Sequence, residues 1–178
     1  MTKLYGRRLE SAVGELLVVA TDGGVCRVCL PEEPLEHRYL WFDKHFASLP
    51  AELSSAIVDR AVEQLDQYLK RRREAFDVPL DLRGTEFQLR VWDELRKVPF
   101  GSTISYGDLA RKVGKPGGAR AIGNAMAANP IPIIVPCHRV IGHDLSLVGF
   151  GGGLSLKEQL LELEQARIPF YKQGGLFS

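Results

Sequence analysis

Hydrophobic positions in the first third of the chain alternate with the period of extended structure. Leu16, Val18 and Ala20 interleave with Leu17 and Val19, the turn-forming Asp22-Gly23-Gly24 follows, and Val25 to Leu30 continues extended. This pattern predicts a β-hairpin, with Lys3–Leu9 as a third strand. The aromatic-rich stretch from Leu35 to Phe46 reads as a short helix or a loop. From Leu53 to Lys70 the residues Leu53, Ile57, Ala61, Leu65 and Leu69 recur at every fourth position, which predicts one helix. It ends in the basic run Lys70–Arg73, where cations suit the helix dipole. Phe76 to Leu82 alternates again and reads as an edge strand, since Pro79 has no N–H to give a central one.

At Arg83-Gly84 the texture changes, which predicts two domains, 1–82 and 83–178. Thr85 and Gln88 form a capping box, and Phe87, Val91, Leu95 and Val98 make a helical stripe that Pro99 stops. Ser105 caps a second helix, Tyr106–Val113, ended by Gly114. Lys115-Pro116-Gly117-Gly118 turns into a third, Ala119–Ala128, closed by Asn129-Pro130. Short helices joined by a glycine-containing turn have the helix-turn-helix layout. The third helix is thin, with Ala119, Ala121, Gly123, Ala125, Ala127 and Ala128 small and Arg120 projecting. That suits either close approach to DNA or close helix packing. The short apolar run Ile131–Val135 reads as buried and extended, and delivers Pro136-Cys137-His138-Arg139. A glycine-rich loop, 149–153, precedes a last helix, Ser155–Ala166.

Composition adds little until it is divided along the chain. Hydrophobic residues make up 45% and charged residues 25%, enough for a real core. No apolar run approaches the ~18 residues of a membrane span, and Glu15 interrupts the Ala12–Ala20 stretch, which reads as a strand and not a leader. Three cysteines are no disulfide framework, so a reduced, cytoplasmic compartment is expected. The net charge is only +1, yet residues 83–143 hold nine Lys/Arg against four Asp/Glu, while residues 1–82 hold eleven against fourteen. A basic segment beside an acidic one points to an anionic partner, nucleic acid being the commonest.

Cys137 is the candidate nucleophile. A free thiol, with a pKa near ~8.5, is mostly protonated at neutral pH, and a neighbouring imidazole such as His138 can take its proton. Adjacent side chains often point apart, so a buried structural cysteine fits the pair equally well. Glu164 on the last helix is a candidate to orient the histidine, or else a solvated carboxylate like Glu158 and Glu162. Cys26 and Cys29 have the spacing of a zinc knuckle, but residues three apart on a strand point to opposite faces and no second pair exists. The 149–153 glycines lack the βαβ context and the Lys-Ser/Thr of phosphate-binding loops.

The segment Asn129-Pro130…Pro136-Cys137-His138-Arg139-Val140, preceded by Ser105-Tyr106 and Arg120-Ala121-Ile122-Gly123, resembles the O6-alkylguanine-DNA alkyltransferases. The resemblance is strong from Pro79 to Glu164 and looser through Gly14-Glu15-Leu16 and the hairpin. It implies an α/β fold: a small ribonuclease-H-like domain, then a mostly helical winged-helix-like DNA-binding domain. It also implies irreversible, stoichiometric transfer of an alkyl group from O6-alkylguanine, with O4-alkylthymine a further substrate, to Cys137. No cofactor and no metal are implied, and Thr21 and Cys26 do not reproduce the amino-terminal zinc ligands of some relatives.

By the same resemblance, Cys137, His138 and Glu164 would form a thiol-imidazole-carboxylate relay. Tyr106 would bond the flipped guanine at N3, and Asn129 would tie the recognition helix to the active-site turn. Met126, Val148 and Phe150 would wall the pocket. Carbonyls near Cys137 and Val140 would accept from the guanine amine, and the Gly151 amide would meet O6. Arg120 would take the place of the extruded nucleotide, with Ala121, Gly123 and Ala127 against the minor groove. The partner would be double-stranded DNA bound by a monomer, with copies able to cluster. Phe150 stands where many members of the family carry Tyr, and Gly151 where some carry Ser, which would remove hydroxyls from the pocket wall. A cysteine hydrolase would instead turn over repeatedly, and an alkyltransferase-like damage binder would lack Cys137.

Overall fold

The structure is a computed structural model, and it describes residues 1–144, 149–150 and 152–166. The chain forms two units, one of residues 1–83 with 130–132, the other of residues 84–129 with 133 onward. No helix among the described residues is long and apolar enough to cross a membrane.

The first unit is built on an antiparallel sheet in the order β1 (Tyr5–Ser11), β2 (Gly14–Ala20), β3 (Val25–Cys29). Every residue of β3 is buried, so the sheet is covered on both faces. One cover is α2 (Ala56–Leu69), capped by Ser55, whose side chain accepts from the Val58 amide. Its buried face is Val58, Ala61, Leu65 and Tyr68, while Ile57 and Leu69 are half-buried and Leu53 is exposed. A strict four-residue repeat drifts ~40° per step around a helix of ~3.6 residues per turn. The working stripe therefore alternates threes and fours, and the predicted series holds only in its middle. The other cover is α1 (Leu35–Phe46), whose Phe42 packs with Leu4, Val19, Cys26 and Cys29, flanked by Trp41 and Phe46.

Two expectations fail in this unit for local reasons. The segment 76–82 is not a strand: only Leu80 pairs, in a parallel bridge with Val25, through Val25 N–H to Pro79 O at 2.8 Å and Asp81 N–H to Val25 O at 2.8 Å. Pro79 has no amide proton, and the Asp77 amide donates to the Gln64 side chain at 3.1 Å, so a longer ladder has no donors. The strap runs close enough that a Cβ on Gly24 would lie 2.6 Å from the Leu80 carbonyl carbon. Cys26 and Cys29, expected on opposite faces, lie in one cluster. The register steps from Val19↔Arg27 to Ala20↔Val25, so Cys26 is the extra residue of a β-bulge and alternation breaks there. Both thiols are free, and burial pushes them up, to about 12 and about 11.

The second unit opens with α3 (Glu86–Arg96). Its capping box is complete: the Gln88 amide donates to Thr85 Oγ1 at 3.2 Å and the Thr85 amide to Gln88 Oε1 at 2.9 Å. Val91, Trp92 and Leu95 are buried, and the Trp92 indole N–H donates to the Ala125 carbonyl at 2.8 Å. That bond fixes α5 (Ala119–Ala127) on α3. Before it, α4 (Tyr106–Lys112) begins at Ser105, whose Oγ accepts from the Asp108 amide at 3.0 Å. A two-residue parallel pairing, unseen in the periodicity, joins β4 (Ile104–Ser105) to β5 (Val140–Ile141). It holds the start of α4 beside the Cys137 segment. The last helix, α6 (Leu154–Leu163), buries Leu156, Lys157, Leu160 and Leu161.

Candidate active site

Cys137 begins a single 3₁₀ turn, Cys137–Arg139, shaped by Pro136 and closed by Cys137 N–H to Val135 O at 2.8 Å and Arg139 N–H to Pro136 O at 3.0 Å. All three side chains are buried. The approach to the turn is strained: Ile133, a β-branched residue with no exposed surface, has φ 74°. Asn129 spans this approach, donating from Nδ2 to the Val135 carbonyl at 3.0 Å, and its side chain also hydrogen-bonds the Cys137 thiol. The end of α5 and the Cys137 segment are thereby joined through one amide side chain.

Behind the turn lies a buried ionic cluster. His138 Nε2 and Glu164 Oε1 are 2.8 Å apart, with both side chains fully buried. Arg139 forks onto the same carboxylate, from Nε to Oε2 at 3.0 Å and from Nη2 to Oε1 at 2.8 Å, and from Nη1 to the Val98 carbonyl at 2.6 Å. The Gly101 amide completes the set, 3.4 Å from Oε2. Gly101 has φ 77°, and a Cβ there would approach the Glu164 carbonyl to 3.2 Å, which accounts for glycine in this turn. Glu164 is thus no solvated carboxylate like its exposed neighbour Glu162.

Each titration follows from this arrangement. Burial alone would raise the Glu164 pKa, but the bonds from His138 and Arg139 outweigh it and hold the carboxyl at about 2. Burial lowers the His138 pKa against the opposing pull of Glu164, so the imidazole is neutral and able to take a proton at pH 7. Burial pushes the Cys137 thiol up to about 11, while Asn129 and Lys157 pull it down. Burial and the nearby Cys137 both raise the Tyr106 hydroxyl, which keeps it a proton donor at neutral pH.

A pocket of ≈ 340 Å³ opens above the thiol, lined by Tyr106, Gly123, Met126, Ala127, Cys137, Gly149 and Phe150. A larger groove of ≈ 830 Å³, bordered by Lys97, Ser102, Asp108, Arg111 and His143, contains neither Cys137 nor His138. Of the predicted substrate contacts, Tyr106, Met126 and Phe150 meet in the smaller pocket. Val140 is buried and does not line it, while Val148 and Gly151 lie outside the described residues. On α5, Gly123 and Ala127 line the pocket, whereas Arg120 is exposed and Ala121 half-buried in the first turn. Among the described residues, no group of three or more His, Cys, Asp or Glu side chains is placed to hold a metal ion.

Two buried residues escaped sequence reasoning. Arg139 has no role in the sequence reading beyond its place in the motif, yet it grips the Glu164 carboxylate from both Nε and Nη2. Lys157 has no exposed surface, donates to the Val140 carbonyl at 2.6 Å, and is lowered to about 8 by burial, an effect the nearby Cys137 opposes. A signal for it existed: Leu156, Leu160, Leu161 and Glu164 share one helical face, and Lys157 falls within that stripe.

Both units match described families. Residues 4–82 match the 6-O-methylguanine DNA methyltransferase ribonuclease-like domain, and residues 86–166 match the DNA binding domain of the same enzyme. The methylated-DNA–protein-cysteine methyltransferase of Mycobacterium tuberculosis is 45% identical over 93% of this chain and 95% of its own length. The inducible enzyme of that name from Bacillus subtilis is 43% identical over 91% and 90%. Among solved structures, Mycobacterium tuberculosis OGT in complex with DNA aligns with a TM-score of 0.79 at 40% identity, covering 90% of this chain and 92% of that one. Similarity of this extent, over both units and at this level of identity, makes the chain a member of the 6-O-methylguanine DNA methyltransferase family.

Proposed function

We propose that this chain repairs DNA by direct reversal, moving the alkyl group of O6-alkylguanine onto Cys137 and keeping it. The observation that carries this reading is the pocket that places the Cys137 thiol beside Tyr106, with the buried His138-Glu164-Arg139 cluster behind it. His138, its Nε2 committed to Glu164, takes the thiol proton at Nδ1. The sulfur attacks the alkyl carbon in line with the departing O6. The S–C bond forms as the C–O6 bond breaks, and the electron pair leaves with guanine, where Tyr106 supplies a proton at N3. The product thioether has no easy hydrolysis at neutral pH, so each chain acts once. The substrate base must leave the stack to reach a thiol that is only 5% exposed.

The proposed assembly is one monomer on the minor groove, α5 facing the DNA and copies able to cluster along it. Arg120 occupies the vacated stack, Ala121, Gly123 and Ala127 admit the backbone closely, and Met126 and Phe150 wall the pocket. O4-alkylthymine is a secondary substrate. The test is intact-mass analysis after mixing with an oligonucleotide carrying O6-methylguanine: one methyl per chain, mapped to Cys137, with no further turnover. Repeated turnover, as from a hydrolase, or bound DNA left unrepaired would refute it.

Arg120→Ala separates base extrusion from chemistry. Extrusion costs a few kcal/mol, so losing the residue that fills the gap should slow repair in duplex DNA about tenfold or more. Transfer from free O6-benzylguanine should stay within about twofold. Equal losses in the two assays would argue against the extrusion role.

Lys157 is a positioning residue whose charge favours the thiolate. Lys157→Met removes a cation close to Cys137, and such a cation shifts a pKa by about one unit or more. Lys157, at about 8, still carries its charge at pH 7, so alkylation of Cys137 by a small thiol reagent should be about tenfold slower there in the variant, and the two rates should converge above about pH 9, where Lys157 is neutral in the wild type. An unchanged rate at pH 7 would leave Lys157 with a packing role only.

A further inference from the structure

The basic run closing α2 holds its cations at a structural cost. Arg71 has φ 59°, and the bonds Arg71 N–H to Tyr68 O at 2.9 Å and Arg72 N–H to Gln67 O at 2.8 Å are those of a left-handed helix cap. Glycine is the residue that suits this position, since a Cβ is strained there. The flanking cations are satisfied locally, Lys70 by Asp66 at 2.8 Å and Arg73 by Gln67 at 2.9 Å and the Ala75 carbonyl at 3.0 Å. Arg71 and Arg72 are exposed, and their guanidiniums make no ion pair or hydrogen bond among the described residues. Glu74 is the nearest acidic neighbour in sequence and pairs with neither. Two adjacent unpaired arginines therefore stand out from a unit that is acidic overall, one of them where glycine would be more stable.

We propose that Arg71 and Arg72 are a second DNA-contact point, through which the first unit binds backbone phosphates. The proposal rests on the DNA-repair reading above. Guanidinium forks match phosphate oxygens, and contacts of this kind add affinity without reading sequence. Tolerance of a strained cap is understandable if the side chain at 71, rather than the cap, is what serves the protein.

The test is the salt dependence of binding of the full chain to a long duplex, with and without O6-methylguanine, for wild type and the Arg71→Gly/Arg72→Ser variant. Each phosphate contact adds about 0.9 to the slope of log K against log salt. The variant's slope should fall by about 1.8. Between about 50 and 200 mM salt, wild type should then lose about twelvefold more affinity than the variant. Transfer from free O6-benzylguanine should be unchanged, and the melting temperature unchanged or higher because glycine relieves the cap. An unchanged slope overturns the proposal. So does an unchanged slope with reduced cooperativity between bound copies, which would assign the arginines to a neighbouring chain's acidic surface. Wild type that transfers from the free base yet shows that unchanged slope loses only this inference. Wild type that neither transfers nor binds DNA loses the repair reading as well.

Discussion

Cys137→Ser protein should keep its fold and its affinity for duplex DNA, yet gain no mass with an O6-methylguanine oligonucleotide under conditions where wild type gains one methyl. The substitution changes one atom at a site only 5% exposed, so packing is nearly conserved and the melting temperature should move little. The chemistry is not conserved: a serine hydroxyl is far less acidic than a thiol and a weak nucleophile until a base removes its proton. Resting acidity is not what singles out Cys137, because burial raises Cys26 to about 12, Cys29 to about 11 and Cys137 to about 11 alike. The distinction is positional. Only Cys137 lines the pocket, and only it has a neutral imidazole next in the chain and a buried ammonium nearby. In the proposed mechanism the activated state is therefore created when substrate fills the pocket, and transfer of the thiol proton to His138 belongs to that encounter. A methyl mapped to Cys26 or Cys29, or a mass gain in Cys137→Ser, would sink this assignment.

How far the chain could be read in advance depended on whether the deciding interaction was local. The capping box of Thr85 and Gln88 and the cap at Ser105 are set by residues a few positions apart and are legible in the sequence, whereas the aromatic stretch Leu35–Phe46, which has no side-chain cap, leaves helix and loop both open. The bulge at Cys26 and the strap at 79–81 depend on partners across the fold, and alternation alone misplaced both. The same division runs through the site. Cys137 and His138 are adjacent and were flagged as a pair, but periodicity could not show that Glu164 is buried. Its burial requires Arg139 and Gly101 to supply donors, and these come from 25 and 63 positions away. Lys157 was passed over because lysine is ordinarily a surface residue, and only the apolar stripe around it argues otherwise.

Glu164→Gln should slow alkyl transfer about a hundredfold and remove a block of acid-dependent stability, two effects of the same carboxylate. For the rate, the proposed relay has Glu164 stabilise the imidazolium that forms when His138 takes the Cys137 proton, and general-base help of this kind is typically worth 10²–10⁴. The acid limb of the pH–rate profile should move to lower pH, because Glu164 raises the His138 pKa in the wild type. A merely structural loss would lower the rate without moving that limb. For stability, the carboxyl sits at about 2 in the folded protein against 4.5 when unperturbed. A depressed folded pKa contributes stability that is present above the unfolded value and is lost as pH falls through the folded one. The contribution is on the order of 3 kcal/mol near neutrality and should disappear between about pH 4.5 and pH 2. Glutamine keeps the shape but leaves the Arg139 guanidinium buried without its counter-charge, so the variant should be markedly less stable at pH 7. Urea unfolding across this pH range is the check, with the gap between wild type and variant expected to close as the solution is acidified. A gap of constant size would mean that the Glu164 carboxylate is not the charged partner of Arg139 and His138, and the proposed support for the nucleophile would fall with it.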